Sequence, residues 1–183
     1  MVEAWRQLDS EIVEDYQIFR LRRDHSRSPE TGEAHHFYVL EAPNWVNVIP
    51  VTPEGKVVLI RQYRHGTGEV SLEIPGGMVD GEDGDPAVAA ERELLEETGY
   101  RAAAMIPIGH VTPNPAILDN YCYTFLAQDA RPVAPPQFDG AEYIELAVTD
   151  LAEIPALISS GQITHALVVA AFYHYEHYQE RGN

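Results

Sequence analysis

The segment from residue 85 to residue 100 reads DPAVAAERELLEETGY, and it predicts one helix with a defined beginning and end. Asp85 can accept hydrogen bonds from the free N–H groups of the first turn, and Pro86 is tolerated at the first helical position. Gly99 ends the helix because glycine readily adopts the left-handed conformation of a C-terminal cap. The alanine and leucine residues between these ends favour a helix.

Three glutamates of this helix occupy neighbouring positions. Glu93 and Glu97 lie about 6 Å apart along the axis, and Glu96 is three residues from Glu93. Like charges at these spacings destabilise a helix by roughly 0.2–0.5 kcal/mol per pair, and Arg92 is the only basic residue inside the helix. A divalent cation would offset this repulsion, because Mg²⁺ and Mn²⁺ prefer oxygen ligands. On spacing alone, however, a solvated acidic face is the simpler interpretation.

The residues on either side of the glutamates favour a metal site over a solvated acidic face. Residues 73–77 read EIPGG and residues 92–100 read RELLEETGY. Together they resemble the Nudix box, which is glycine, five residues, Glu, seven residues, then Arg-Glu-aliphatic-any-Glu-Glu-any-Gly-aliphatic. The second half matches, with Tyr100 in the final apolar position.

The first half of the box departs from the pattern. Its Glu position holds Asp83 when counted from Gly77, and Gly84 when counted back from Arg92. We infer a net insertion of one residue in this loop. Glu82 is the nearest carboxylate in the motif context and is kept as a candidate without an assigned role.

The resemblance implies a mixed α/β fold, the Nudix α/β/α sandwich, and a set of metal ligands. Glu93 and Glu97 would bind the metal directly, Glu96 would bind it or assist, and the carbonyl of Gly76 would add a ligand. Arg92 would orient the glutamates through charge-assisted hydrogen bonds. The expected cofactor is Mg²⁺, with Mn²⁺ as a substitute, which would neutralise a diphosphate and help ionise the attacking water.

Further segments resemble the ADP-ribose pyrophosphatase branch of this family. They are FYVLE at 37–41, LIRQYR at 59–64, SLEIPGG at 71–77 and GQITHAL at 161–167. The resemblance implies an N-terminal β extension, residues 1–44, that forms a homodimer, followed by a Nudix hydrolase domain, residues 45–183. It also implies that the chain hydrolyses ADP-ribose or a related nucleoside-diphosphate sugar to a nucleoside monophosphate and a sugar phosphate.

Four residues are candidate substrate contacts. Arg64 ranks first, since a guanidinium can bind a phosphate through two parallel hydrogen bonds, and Arg61 ranks second. A structural salt bridge is the alternative for both arginines. Trp45 could stack on a nucleobase across the dimer or pack in the core. Glu73 could orient Arg64 or contact the ribose.

The general base of this branch usually lies on a late loop, and DGAEYIE at residues 139–145 is the matching region. Glu142 is preferred because it directly precedes a strand-like segment, and Asp139 is the alternative. A loop carboxylate can close over a metal-bound water, although a capping or solvated acid would look the same in sequence. Three late histidines are predicted to be helix-surface or interface residues rather than ligands: His165, His174 and His177.

The sequence leaves alternatives for the sugar of the substrate and for the class of reaction. Residues 112–120 read TPNPAILDN, whereas many ADP-ribose enzymes carry a segment rich in Pro, Gly and Ser, so GDP-mannose and other nucleotide sugars remain candidates. A nucleoside-triphosphate pyrophosphatase is disfavoured by the N-terminal extension. A nucleotide-sensing module without catalysis is disfavoured by the intact glutamate set. An interaction domain with a merely acidic helix is the remaining rival.

Composition excludes several other classes. The 183 residues include 12 basic and 29 acidic residues, giving a formal charge of −17 that disfavours nucleic-acid binding. The single cysteine, Cys122, excludes an intrachain disulfide, fits a reducing cytoplasm and is predicted to be a buried strand residue. No signal peptide or membrane-spanning run is evident in the sequence, so no membrane partner is expected.

The pattern along the chain predicts a mixed sheet with helices packed on it. Predicted strands cover residues 11–23, 36–40, 45–52, 56–62, 71–74, 102–109, 121–127 and 142–148, with a hairpin loop at 24–34. After the carboxylate helix, a short helix begins at Thr149-Asp150 and a last helix covers about 164–178.

Overall fold

The protein forms two compact units in a computed structural model that describes residues 1–138 and 143–182. Unit 1 comprises Met1–Pro43 and Thr112–Tyr121, and unit 2 comprises Asn44–Val111 and Cys122–Asn183. Within the described ranges, no helix is both long and apolar enough to cross a membrane.

Unit 1 contains a three-stranded antiparallel sheet. Its strands are β1 (Arg6–Asp15), β2 (Arg20–Arg27) and β3 (Ala34–Glu41), in that spatial order. The prediction of one strand over 11–23 is wrong, because a turn divides it: the N–H of Tyr16 donates to the carbonyl of Phe19 at 2.9 Å. Apolar and polar residues continue in rough alternation through this segment, so alternation alone does not reveal the turn. The predicted hairpin loop at 24–34 is shorter, because β2 continues to Arg27.

Unit 2 is built on a seven-stranded mixed sheet. Its strands are β4 (Trp45–Val51), β5 (Lys56–Arg64), β6 (Glu69–Glu73), β7 (Gly76–Met78), β9 (Ala104–Val111), β10 (Cys122–Gln128) and β12 (Ile144–Asp150). The order is β12-β5-β4-β10-β9, with β6 paired to β5 and β7 paired to β4. Only the β4–β10 pair among these described strands is parallel. A separate two-stranded pair joins β8 (Tyr100–Arg101) to β11 (Arg131–Pro132).

Among the described residues, three α-helices complete unit 2: α1 (Pro86–Thr98), α2 (Ile154–Ser159) and α3 (Ala166–Gly182). The predicted ends of α1 are confirmed. The side chain of Asp85 accepts a hydrogen bond from the N–H of Ala87, and Gly99 adopts a left-handed φ of 73° while its N–H donates to Leu95. Gly99 is also required sterically, because a Cβ there would lie 2.0 Å from the carbonyl oxygen of Ala134.

The helices cover the two faces of the sheet. On β4, Val46 and Val48 pack in one hydrophobic cluster with Leu94 of α1, whereas Ile49 packs in another with Phe172 of α3. Because neighbouring residues of a strand point to opposite faces, α1 and α3 lie on opposite sides of the sheet. Each such buried side chain contributes on the order of 2 kcal/mol. The predicted α/β/α sandwich is therefore confirmed.

Candidate active site

Two carboxylates of α1 converge on the glycine pair of β7. Glu97 is only 4% exposed, and its Oε2 accepts a 2.8 Å hydrogen bond from the N–H of Gly76. A Cβ on Gly77 would lie 2.3 Å from Oε1 of Glu93, so the Glu93 carboxylate occupies the space that a side chain would need. The two glycines thus allow both carboxylates to approach one backbone segment closely.

Arg92 links this helix to the preceding loop. Its Nη1 donates to Glu93 at 2.9 Å and to Glu96 at 3.2 Å. Its Nε and Nη2 donate to the two oxygens of Asp83 at 3.1 and 3.0 Å, and Nη2 also donates to the carbonyl of Met78. The hydrogen bonds that Arg92 donates to Asp83, followed by the charge of Glu93, raise the pKa of Arg92 above its usual value. Arg92 therefore contacts two carboxylates of α1, Glu93 and Glu96.

The loop carboxylate that contacts Arg92 is Asp83. Its side chain is 6% exposed, and it also accepts a 2.7 Å hydrogen bond from the N–H of Asp80. The hydrogen bonds from Arg92 lower the pKa of Asp83. Glu82, the neighbouring residue, is exposed. With five intervening residues after Gly77, the motif position is Asp83, so the sequence contained the signal, but a match by residue type favoured Glu82.

The donors around the glycine pair suit a hard cation, because carboxylate and carbonyl oxygens are the ligands that Mg²⁺ and Mn²⁺ prefer. Within residues 1–138 and 143–182, no three His, Cys, Asp or Glu side chains are grouped closely enough to hold an ion. Glu93 is turned toward Arg92 and Glu97 toward Gly76. Both carboxylates are thus engaged with protein groups beside the Gly76–Gly77 backbone.

A cavity of about 350 Å³ lies against the glycine pair. It is lined by Trp45, Val46, Asn47, Arg64, Gly76, Gly77, Met78, Cys122, His165 and Leu167. A cavity of about 370 Å³ lies between α1 and residues 101–105, and it is lined by apolar side chains together with Glu91, Arg92 and Arg101. The first is the better candidate for substrate, because it brings together Trp45, Arg64 and Gly76, three residues selected from the sequence.

Arg64 is held in this cavity by a buried carboxylate. Its Nε and Nη2 donate to the two oxygens of Glu73 at 2.9 and 2.7 Å. Nδ1 of His165 lies 2.9 Å from the Oε2 of the same carboxylate. Burial raises the pKa of Glu73, but the hydrogen bonds from Arg64, aided by His165, outweigh burial and lower it to about 2. Glu73 is thus placed to orient Arg64, one of its two predicted roles.

Comparison with known proteins identifies the family. Residues 42–172 match the family model of the NUDIX domain. The chain belongs to the Nudix family. It is therefore a Nudix hydrolase, and these enzymes generally use a divalent metal.

Named relatives and a solved structure agree with this assignment. An ADP-ribose pyrophosphatase of Bacillus subtilis (strain 168) is 31% identical over 137 residues, which cover 74% of this chain and 73% of the relative. An ADP-ribose pyrophosphatase of Mycobacterium tuberculosis is 29% identical over 167 residues, which cover 89% of this chain and 79% of that relative. The crystal structure of an ADP compounds hydrolase superposes with a TM-score of 0.87 at 21% identity, covering 100% of this chain and 98% of the other, so it shows the same fold.

The remaining predicted residues of this Nudix enzyme lie in different surroundings. Arg61 is three residues from Arg64 on β5, so it points to the opposite face, where it lies 3.8 Å from Glu145. Trp45 is half-buried at the start of β4. Glu142 and Asp139, the two candidate bases, lie outside the described residues. Cys122 is buried as predicted, and burial raises the pKa of its thiol to about 12, which argues against a nucleophile.

Of the three late histidines, only His177 lies on an exposed helix surface. His165 precedes α3 and lines the cavity instead of lying on a helix surface. His174 packs against β9, where a Cβ on Gly109 would lie 2.5 Å from its ring. His177 is about half-exposed on α3, with Glu180 3.7 Å away, as predicted for a surface residue.

Proposed function

We propose that this Nudix hydrolase cleaves the diphosphate bond of ADP-ribose or a related nucleoside-diphosphate sugar, releasing a nucleoside monophosphate and a sugar phosphate. One observation carries the proposal: Gly76 and Gly77 line the cavity that contains Arg64, and the same glycines contact Glu97 and Glu93. An anion-binding side chain and a set of oxygen donors therefore meet at one wall. The names of the two relatives support this choice of substrate.

We propose the following roles for the residues of the site. Arg64, fixed by Glu73, binds the diphosphate through its guanidinium. Glu93, Glu97 and the Gly76 carbonyl hold Mg²⁺, with Mn²⁺ as a substitute, while Glu96 binds the metal or assists. Arg92 keeps Glu93 and Glu96 oriented. When bound, the metal neutralises phosphate charge and lowers the pKa of a coordinated water.

Other parts of the proposal rest on the sequence. The base is Glu142, with Asp139 as the alternative, and both stay predictions. Arg61 stays a weaker candidate for substrate binding, because Glu145 offers it a structural partner. Glu82 keeps no assigned role. We also expect the enzyme to act in the cytoplasm.

We further propose that the chain forms a homodimer through its N-terminal extension, residues 1–44. All ten positions of β1 are exposed, and they include the apolar residues Leu8, Ile12 and Val13. An exposed edge strand with apolar side chains favours association. Light scattering coupled to size exclusion tests this, and a monomer at micromolar concentration would refute it. Trp45 is kept as a candidate to stack on a nucleobase across such a dimer, with packing as its alternative role.

The reaction is tested with a panel of nucleotide substrates. ADP-ribose, GDP-mannose, other nucleotide sugars and ATP are incubated with the protein and Mg²⁺, Mn²⁺ or a chelator. The released monophosphate is then identified by chromatography. We expect AMP from ADP-ribose with either metal and none with the chelator. Turnover of ATP alone, or binding without turnover, would refute the proposal.

A further inference from the structure

The buried carboxylate of Glu73 has partners on two different elements. Arg64, on β5, donates to both of its oxygens, and His165, just before α3, places Nδ1 2.9 Å from Oε2. The carboxylate is 3% exposed, so water contributes little to holding it. A buried charge depends on its neighbours for orientation as well as for stability.

The backbone of His165 is fixed independently of this contact. Its carbonyl accepts hydrogen bonds from Val168 and Val169 in the first turn of α3. Asn47 donates to the carbonyl of Leu167 at 3.1 Å, and Ile163 is buried in the core beneath α3. The imidazole is therefore presented to Glu73 by a rigid segment rather than by a loose loop.

Nδ1 of His165 has no polar partner besides Glu73 among the described residues. It is shielded from solvent and makes no regular hydrogen bond within residues 1–138 and 143–182, although Oε2 of Glu73 lies only 2.9 Å away. The side chain as a whole is 36% exposed and lines the cavity. A small rotation of the ring would align the Nδ1–H with Oε2. When an anion binds Arg64 it competes with Glu73 for the guanidinium, so the hydrogen bond from His165 to Glu73 would then matter more.

We propose that His165 is a positioning residue, which donates from Nδ1 to Glu73 and so keeps that carboxylate directed at Arg64 in the geometry that binds a diphosphate. This inference rests on the proposed function only for its substrate. The carboxylate selects the imidazole tautomer with the proton on Nδ1, as carboxylates do for histidines elsewhere. His165 acts through Glu73 and Arg64 and does not itself need to contact substrate.

The test compares His165→Ala, His165→Asn and His165→Gln in steady-state hydrolysis of ADP-ribose with saturating Mg²⁺. Loss of one hydrogen bond to a charged group predicts a KM about tenfold higher in His165→Ala. The kcat should change less than about threefold, because uniform binding is lost rather than transition-state binding. Asn places its N–H where Nδ1 lies and should restore KM, whereas Gln places its N–H where Nε2 lies and should not. His177→Ala, which removes an exposed His–Glu pair on α3, is the matched control and should behave as the wild type.

A double-mutant cycle with Glu73→Gln separates positioning from direct contact. If His165 acts through Glu73, then His165→Ala adds no further increase in KM in the Glu73→Gln background. A full tenfold increase in that background, or wild-type KM in His165→Ala, would overturn the inference. Equal rescue by Asn and Gln would overturn it too, since the donor would then not be Nδ1.

Calorimetric binding of inorganic pyrophosphate keeps the two proposals distinguishable. Failure to hydrolyse every nucleotide sugar would refute the proposed function but would leave this measurement intact. We expect His165→Ala to weaken pyrophosphate binding about tenfold when Glu73 is present and not when it is replaced. Equal weakening in both backgrounds, or no binding to the wild type, would count against the positioning role.

Discussion

Glu97 on α1 and Gly76 on β7 are joined by a 2.8 Å hydrogen bond from the Gly76 N–H to Oε2, although they lie 21 positions apart. The carboxylate is buried, so this bond fixes the helix against the strand that lines the cavity. The same carboxylate is proposed to hold the metal, and fold and chemistry therefore depend on one side chain.

Substitution of Glu97 by Gln should separate these two roles. The amide oxygen can still accept from Gly76, so the melting temperature should stay within a few degrees of the wild type. The metal loses an anionic ligand, and kcat at fixed Mg²⁺ should fall at least about 100-fold. Monophosphate release measures this. Glu91→Gln, an exposed position on the same helix, serves as control; equal turnover in both variants would contradict the metal role.

Asp83→Asn should lower activity more than Glu82→Gln. Asp83 binds two nitrogens of Arg92, and Asn cannot accept at both oxygens or balance the charge. Arg92 would then hold Glu93 and Glu96 less firmly, and we expect a roughly 10- to 100-fold lower kcat/KM, the usual effect of losing an outer-shell contact. Mg²⁺ titrations of activity for both variants test this. A larger effect at Glu82 would show that the exposed residue, not Asp83, fills the position in the motif.

Alanine at the two adjacent glycines should give two different defects. In Gly77→Ala the new Cβ meets the end of the Glu93 side chain, which can move, so the fold should persist while Mg²⁺ affinity falls. In Gly76→Ala it lies 2.1 Å from the backbone oxygen of Val46, which cannot easily yield. That clash should cost about 1–3 kcal/mol of unfolding free energy. Urea unfolding and metal titration of both variants distinguish the outcomes, and similar stability losses would contradict this reading of the geometry.

Glu73 should make stability depend on acid pH. Its pKa is lowered from the ordinary 4.5 to about 2, so its stabilising effect is fully present above about pH 4.5 and is lost as the pH falls toward 2. A shift of this size corresponds to on the order of 3 kcal/mol. The difference in unfolding free energy between wild type and Glu73→Gln should narrow over that range. Glu69→Gln, exposed on the same strand, is the control; a difference that is constant with pH would refute the assignment.

Much of the fold follows from sequence because its signals are local. The ends of α1 were predictable from Asp85 and Gly99, since each acts on backbone groups within one turn. The turn at Tyr16–Phe19 was not, because no glycine or proline interrupts the alternation there. The short strand β7 was not predicted either, since three residues carry too little pattern and pairing with β4 determines it.

In the candidate site, too, contacts within one helix could be predicted and contacts between distant segments could not. Helix spacing and the motif predicted that Glu93, Glu96 and Glu97 lie near Arg92, because all four belong to one helix. The contact of Glu73 with His165 joins β6 to the start of α3, which lie about 90 residues apart in the printed chain. Nothing in the spacing of the late histidines distinguishes His165 from His177. Only the packing of α3 brings one of them to the cavity.

The separation of α1 and α3 by the sheet has a consequence for how such an enzyme can diverge. The carboxylates of α1 rest on one hydrophobic cluster, and the segment that presents His165 rests on another. Substitutions beneath α3 can therefore reshape the cavity while the packing that supports bond cleavage is left intact. Selection could change which sugar or base is accepted without rebuilding the chemistry, so one scaffold can acquire new substrates in small, separately tolerated steps.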